Sequence, residues 1–426
     1  MIKEQTYSKI WIIFFIISLA LWIGWAFHCS QNTAPGLLDD GSHMVFSENY
    51  PQKGWFNMVW QDIVDTYHGA RFYEVQYSLL GAYNVFFGKN LDFWYLGNFL
   101  LCFLTGLFIF YIVHFFTKDY PAAIIACLVF LTSSPIAETV RANFGKVEDA
   151  MVFFYFLGIA AWIAYLSVKN SFLKWPFLFA AIFGLSTAAV SKESGKIIMM
   201  SPIIAAGVIL FTRETRQEKT KWASLGAIAG FGILLNYLIS KPSSDALYLK
   251  KYFSLNFDPS FLFLTLKYYI GQVPDVIVLS LLLLFIFLPI QKKLSPREKG
   301  FYLGFAGVAF LYEFLLLTFR FYTSYYVYVP MALLAVPLGI AFSVKNRWLQ
   351  LAVVGIVLLT RYHSIPYNYV IAEAQAFFDK TNLDAMEMAN SFGAEKVRVL
   401  PRLAHRNVRK LLEDNEKQLY KRNAHF

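Results

Sequence analysis

Two adjacent carboxylates are the first residues in the chain whose type and spacing suit catalysis. Asp39 and Asp40 stand side by side in GLLDDGSH, shortly after the first long apolar stretch. Neighbouring carboxylates repel each other, so such a pair needs a bound proton or a cationic neighbour. A carboxylate placed in this way can act as a general base on an acceptor hydroxyl. The pair also fits a helix N-cap in a solvated loop, and the local sequence alone leaves both interpretations open.

Two arginines in other polar segments have the chemistry to bind a phosphate. Arg71 lies in GARF, and Arg320 opens the segment RFYTSYYVYVP. A guanidinium can hold a phosphate through two parallel hydrogen bonds. Tyr322 and Tyr325 follow Arg320 and offer rings on which a sugar could stack. Arg71 equally fits an interfacial anchor, and the tyrosines equally fit an aromatic belt at the membrane surface.

Charged residues are unusually dense in the segment ETVRANFGKVED, between two apolar stretches. It carries Glu138, Arg141, Lys146, Glu148 and Asp149. Mixed charges at this density predict an ion-paired network or a polar binding site. A solvated turn explains them equally well.

A second charged segment, VSKESGK, contains Lys192 and Glu193 between two short apolar stretches. Because the stretches are short, we expect this loop to dip toward the membrane. Polar backbone at that depth is tolerated where it lines a cavity. The sequence therefore predicts a functional role for Lys192 or Glu193.

Metal binding and disulfide formation receive little support. His43 and His68 share a segment with the aspartate pair, but their spacing is not that of a regular metal site. We predict no cofactor; a divalent metal is compatible with these residues but not favoured. The three cysteines form no disulfide pattern. Glu313, inside the apolar run AFLYEFLLLTF, is interpreted as functional because intramembrane acids are costly.

The elements that position these residues are membrane spans. The chain has 426 residues, of which 57% are hydrophobic and only 15% charged. Stretches long enough to cross a bilayer recur throughout the sequence. They predict an all-α polytopic membrane protein with about 11 transmembrane helices. The predicted spans are 10–27, 93–117, 121–137, 150–168, 175–190, 197–212, 222–240, 273–290, 301–319, 321–344 and 348–360.

The remaining segments complete the predicted organisation. The amphipathic run HGARFYEVQYSLLGAYNVFFG predicts interfacial helices in the first long loop. Residues 1–360 are expected to form the membrane domain. Residues 361–426, which include the strand-like run KVRVL, are expected to form a small α/β tail on the outer face.

Loop charge predicts the orientation of the chain. The net charge is +10, but the basic residues cluster in short loops between spans, which indicates topology and not nucleic-acid binding. With the N-terminus inside, the inner segments hold most of the short-loop cations. The candidate site residues then all lie on the outer side, although this placement depends on the number of spans.

Taken in order, these motifs resemble the GT-C superfamily of membrane glycosyltransferases, which includes protein O-mannosyltransferases and aminoarabinose transferases of lipid A. The resemblance covers about residues 1–345. It is carried by Asp39-Asp40 after the first span, the segment Gly69–Phe72, the acidic second outer loop, the segment Ser191–Glu193 and the segment Arg320–Pro330.

The resemblance implies a fold and a reaction. Such enzymes pass a sugar from a polyprenyl-phosphate carrier to a glycan, lipid or protein acceptor on the outer face of the inner, or plasma, membrane. The first acidic residue of the first outer loop is usually the base, which implies Asp40 or, second, Asp39. The implied phosphate-binding residues are Arg71, Lys192 and Arg320, and the implied supporting carboxylate is Glu138 or, second, Glu148. Lys146, Glu193, Tyr322 and Tyr325 complete the predicted substrate-binding set.

Two other classes of membrane protein fit parts of the sequence. A transporter or flippase of lipid-linked sugars would explain Glu313 and the many spans, but no internal repeat is evident. A polysaccharide polymerase or ligase would share the outer arginines, but it would favour a large late outer loop. Here the first outer loop is the long one, and it carries the aspartate pair and Arg71.

Overall fold

The computed structural model describes residues 2–31, 33, 48–67, 74–88, 90–141, 147–192, 194–239, 255–318 and 324–391. Over these residues the chain is almost entirely α-helical, as predicted. The helices are α1 (Ile2–Cys29), α2 (48–53), α3 (Trp55–Tyr67), α4 (Glu74–Phe87), α5 (Leu91–Thr117), α6 (Tyr120–Leu131), α7 (Pro135–Val140), α8 (Val147–Ser167), α9 (Ser171–Ser191), α10 (Gly195–Ile198), α11 (Met200–Leu210), α12 (Arg216–Ile239), α13 (Pro259–Gln272), α14 (Pro274–Ile290), α15 (Pro296–Thr318), α16 (Tyr328–Ser343) and α17 (Arg347–Ser391). A single 3₁₀ turn, Ser324–Val327, precedes α16.

The predicted number of spans is not confirmed. Among the described residues, eight helices are long and apolar enough to cross a membrane, or nine if α13 and α14 form one broken span. The difference from eleven comes from two shorter apolar helices, Tyr120–Leu131 and Gly195–Leu210. Their residues are as apolar as those of a span, but a helix rises only about 1.5 Å per residue, so α6 alone is too short to cross a bilayer.

The two ends of the helix bundle differ in their charged residues. Contacts between residues far apart in sequence bring the end of α9 to the start of α8, and the start of α8 to the start of α16. We call this end, where Glu148, Lys192 and Tyr328 meet, the site end. The opposite end carries basic residues in short connections, and we call it the basic end. Its cations include Lys118, Lys169, Lys174, Arg213, Arg216, Lys219, Lys292, Lys293, Lys345 and Arg347.

The first long loop contains helices α3 and α4, of which α4 falls within the run HGARFYEVQYSLLGAYNVFFG that was predicted to form interfacial helices. Helix α3 exposes Phe56 and Trp60, and α4 packs against α5, α8 and α9. The ring of Tyr83 on α4 lies so close to Gly97 on α5 that a Cβ there would fall 2.6 Å from it. Helix α4 is therefore anchored against the bundle.

The antiparallel pair α8 and α9 is packed backbone to backbone. A Cβ at Gly184 would lie 2.7 Å from the carbonyl oxygen of Phe154, and a Cβ at Gly158 would lie 2.8 Å from the amide nitrogen of Leu185. Only glycine permits so close an approach. Because the two helices run in opposite directions, this crossing sets the start of α8 beside the end of α9.

The last helix continues well beyond the predicted end of the last span. Residue 360 was taken as the end because Arg361 interrupts the apolar run, but α17 extends unbroken from Arg347 to Ser391. The predicted boundary between membrane domain and tail falls inside it. Residues 392–426, with the run KVRVL, lie outside the described residues. The charge of Arg361 is accommodated within the helix because its side chain is buried against an acidic partner, Asp275.

Candidate active site

The site end brings together four of the predicted site residues. Glu138, Glu148, Lys192 and Tyr325 all lie on elements that meet there. The other predicted residues lie outside the described part of the chain, so their positions remain predictions. These are Asp39, Asp40, Arg71, Lys146, Glu193, Arg320 and Tyr322.

Lys192 and Glu148 form a direct ion pair. The Lys192 Nζ donates to Glu148 Oε1, and the same ammonium lies 4.3 Å from the centroid of the Tyr326 ring. Burial by itself would lower the pKa of Lys192, but the Glu148 carboxylate outweighs it and holds that pKa above its usual value. The lysine is therefore a fixed positive charge at the site end.

The backbone around Lys192 is held by a buried amide. Asn236 on α12 is fully buried, and its Nδ2 donates to the carbonyl oxygens of Ala189 and, at 3.1 Å, of Lys192. Carbonyls at the end of a helix have no partner within the helix, so this side chain satisfies the end of α9. Sequence reasoning missed Asn236, although a lone asparagine near the end of an apolar span is a recognisable signal.

A second carboxylate lies next to Glu148 in the first turn of α8. Asp149 is buried, and its Oδ1 accepts a hydrogen bond from the Tyr328 hydroxyl at 2.8 Å. Its Oδ2 is buried without a hydrogen-bond partner among the described residues. Asp149 was recognised in the charged segment but was not predicted to be a site residue.

Glu138 is held by the last helix. Its Oε1 accepts from the Tyr367 hydroxyl at 2.6 Å, and that hydroxyl also lies 3.3 Å from Gln272 Oε1. One residue further on, Asn368 accepts from the Ala137 amide at 3.1 Å and donates to the Ser133 carbonyl at 2.7 Å. Helix α17 therefore fixes the short helix that carries Glu138.

In the described part of the segment ETVRANFGKVED, the cation is Arg141. It is fully buried, and its guanidinium carbon lies 4.7 Å from the centroid of the Tyr95 ring. An arginine over an aromatic face gains a cation–π interaction. Tyr325, in the 3₁₀ turn, packs against Tyr326 with ring centroids 4.5 Å apart, which keeps it beside the ring that Lys192 contacts.

A further buried ion pair joins three parts of the chain. The Arg361 Nη2 lies 3.0 Å from Asp275 Oδ2, and its Nη1 donates to the Val129 carbonyl at 2.9 Å and to Thr132 at 3.2 Å. The same Asp275 oxygen accepts from the Ser134 amide at 2.9 Å. Asp275 follows directly after a 106° bend between α13 and α14. The pair therefore locks that bend to α17 and to the end of α6.

Glu313, predicted to be functional, has a hydrogen-bonding partner in a neighbouring helix. Its Oε1 accepts from the Ser280 hydroxyl at 2.6 Å. This contact gives the buried acid a hydrogen-bonding partner within the bundle.

The residues considered as metal ligands lie in the first long loop. No group of three or more His, Cys, Asp or Glu side chains suited to a metal occurs in the part of the chain that the structure describes. His43 and His68, with the aspartate pair, lie outside it.

Comparisons with known proteins bear on the fold. No family model matches the chain, and no curated protein sequence matches it. Among solved structures, the crystal structure of ArnT from Cupriavidus metallidurans bound to undecaprenyl phosphate matches with a TM-score of 0.50 at 13% identity. The match covers 90% of this chain and 71% of that chain. ArnT is an aminoarabinose transferase with a GT-C fold.

The chain has the GT-C fold. The predicted resemblance is thereby confirmed at the level of architecture. Together with the long apolar helices, it establishes an integral membrane protein that crosses the bilayer several times. The charged cluster of Glu148, Asp149, Lys192, Glu138 and Arg141 sits at one end of this fold.

Proposed function

We propose that the protein is a membrane glycosyltransferase that moves a sugar from a polyprenyl-phosphate-linked donor to an acceptor. The observation that carries the proposal is the buried cluster of carboxylates and cations at one end of a GT-C fold. The acceptor is a glycan, a lipid or a protein. No metal or other cofactor enters the proposal.

The proposed reaction assigns a role to each charge. An acceptor oxygen attacks the anomeric carbon, the bond from that carbon to the phosphate oxygen breaks, and the polyprenyl phosphate leaves with the electron pair. The acceptor proton passes to a carboxylate, for which Asp40 or Asp39 is proposed. The departing phosphate gains negative charge, which Lys192, Arg71 and Arg320 are proposed to stabilise.

The structure changes the proposed role of one carboxylate. Glu148 was the second choice for the supporting carboxylate. Because it forms an ion pair with Lys192, we now propose that Glu148 orients the lysine side chain. Glu138 keeps the role of supporting carboxylate, held by Tyr367. Lys146, Glu193, Tyr322 and Tyr325 remain proposed substrate contacts.

The undecaprenyl phosphate bound to ArnT supports the proposed donor class. A lipid of this kind needs an apolar surface beside a phosphate-binding cation. Phe257 and Phe314, whose ring centroids lie 6.4 Å apart near the end of α15, are exposed and could face such a chain.

We place the active site on the outer face of the inner, or plasma, membrane. The support is the concentration of cations at the basic end, which favours that end being cytoplasmic. A reporter fused after residue 391 or residue 169 tests the topology. We expect the reporter fused after residue 169 to be active in the cytoplasm and the reporter fused after residue 391 not to be.

The functional proposal is tested by substituting Asp39→Asn and Asp40→Asn singly and measuring sugar transfer from a polyprenyl-phosphate donor in membranes. At least one variant is expected to lose transfer at unchanged protein level. Full transfer by both variants would refute the base assignment, and no transfer by the native protein would refute the reaction.

A flippase of lipid-linked sugars is the second candidate, and one observation favours it. The 106° break between α13 and α14 resembles the discontinuous helices at transporter binding sites. Movement of the donor lipid across vesicles without any glycosylated product would support the flippase and exclude the transferase.

A further inference from the structure

A groove at the basic end, far from the proposed active site, has the composition of a lipid-binding surface. It is a shallow, open depression of about 480 Å³ between the end of α11 and the start of α12. Its apolar wall is formed by Leu210, Ala223 and Ala227, and its lining also includes the cations Arg216 and Lys219. Thr220 and Ser224 complete the lining.

The two cations in this groove are not neutralised by nearby acids. Glu218 is taken by other bases, with Lys221 Nζ at 2.7 Å and Arg297 Nη2 at 3.0 Å. Arg297 also lies 3.8 Å from Glu214. Among the described residues, neither Arg216 nor Lys219 forms an ion pair with an acidic side chain.

The hydroxyls of the groove are already used by the helix. Thr220 donates to the Arg216 carbonyl at 2.9 Å, and Ser224 donates to the Thr220 carbonyl at 2.8 Å. The cationic heads are therefore the groups left to hold an anion. Phe211, which follows Leu210 in the chain, is 95% exposed, as expected of an apolar side chain that faces lipid.

We propose that this groove binds one anionic phospholipid, with its phosphate between Arg216 and Lys219. Basic pockets between membrane helices on the cytoplasmic side suit anionic head groups. The apolar wall of Leu210, Ala223 and Ala227 lies where the first acyl carbons would run. A free phosphate ion would make no use of that wall, so the occupant is a lipid. The inference rests on the proposed cytoplasmic position of the basic end but not on the proposed transferase reaction.

The test measures lipid binding to the detergent-purified full-length protein by native mass spectrometry. The probes are phosphatidylglycerol, phosphatidylcholine of matched acyl chains, and inorganic phosphate. The variant is Arg216→Gln/Lys219→Gln. The control is Lys345→Gln/Arg347→Gln, which removes the same two kinds of charge from exposed positions at the same end.

The native protein and the control are expected to retain phosphatidylglycerol, and the groove variant to bind it about 10- to 30-fold more weakly. Equal loss in the control would overturn the site, because it would show a general surface charge effect. Equal binding of phosphatidylcholine, full displacement by millimolar inorganic phosphate, or an unchanged groove variant would also overturn it. A melting curve of each purified variant shows whether it is folded; if the groove variant unfolds, Lys219→Gln alone replaces it under the same criteria.

Discussion

Two buried ion pairs near the site end show how the same chemistry serves different purposes. Glu148–Lys192 and Asp275–Arg361 each join helices that are distant in sequence. The Lys192 side chain is 20% exposed and follows the end of a helix, whereas Asp275 is fully buried and Arg361 is 10% exposed. Arg361 is also bonded to a backbone carbonyl and a threonine hydroxyl, while the further contact of Lys192 is an aromatic ring.

This difference in exposure and hydrogen bonding means that Lys192 can contact a substrate and Arg361 cannot. Lys192 has donors and exposed surface left for a phosphate, so we assign it to the proposed reaction. Arg361 is committed to α6 and α14, so we assign it to the architecture. Substitutions that break each pair should therefore produce different failures.

The largest effect is expected for Asp275→Asn. It leaves the Arg361 guanidinium buried without its counter-charge, and breaking a buried pair in this way costs about 3–5 kcal/mol. Thermal unfolding in detergent should show a strongly lowered melting temperature and reduced yield.

Its control is Asp275→Leu/Arg361→Leu, which removes both charges and is expected to be more stable than the single variant. An Asp275→Asn protein with unchanged melting would contradict the architectural role of the pair.

Lys192→Gln is expected to lower transfer and also stability, because it removes the counter-charge of Glu148, which is 2% exposed. The loss of stability should be smaller than that of Asp275→Asn. Glutamine can still donate to Glu148, but the positive charge at the departing phosphate is lost, which should lower the transfer rate about 100-fold. The rate is measured from the release of polyprenyl phosphate, with melting recorded in parallel. Lys169→Gln, at the basic end, is the matched control. Unfolding as severe as that of Asp275→Asn would mean that the two pairs do not differ.

A smaller effect is expected for Tyr367→Phe. It removes the hydroxyl that donates to Glu138 and should cost about 1 kcal/mol, or roughly fivefold in transfer if Glu138 supports the reaction. Tyr362→Phe is the control, since Tyr362 is 84% exposed on the same helix. Equal effects of the two substitutions would argue against the contact with Glu138.

The smallest effect is expected from pH. Because the pKa of Lys192 is raised, the lysine stays protonated in the folded protein at neutral pH. The contribution of its charge to stability is lost only at alkaline pH, above the usual lysine pKa of about 10.4. The ratio of transfer by the native protein to that by Lys192→Arg should stay flat from pH 7 to 9. A falling ratio in that window would show that Lys192 deprotonates there.

The sequence predicted the site by motif and missed the residues that hold it. Glu148 and Lys192 were each recognised in a charged segment, but their pairing depends on the α8–α9 crossing, which rests on Gly158 and Gly184. Asp275 and Arg361 were not predicted as partners because they lie in spans where local patterns contain no information about contacts.

The fold class could be predicted from the sequence more readily than the number of spans. Long apolar runs predict membrane helices directly, whereas α6 is too short for composition to show whether it crosses. The last helix also runs beyond residue 360, where the apolar run ends, because a buried partner accommodates the charge of Arg361.

Transfer from a polyprenyl-phosphate donor is the central claim, and its most direct test is made in vesicles. Vesicles carrying the native protein or Lys192→Gln are supplied with polyprenyl-phosphate-linked sugars extracted from native membranes. Mass spectrometry then follows free polyprenyl phosphate and glycosylated acceptor together. We predict that both products appear in equal amounts with the native protein and fall about 100-fold with Lys192→Gln. An intact donor pool with the native protein, or equal product from both proteins, would contradict the account.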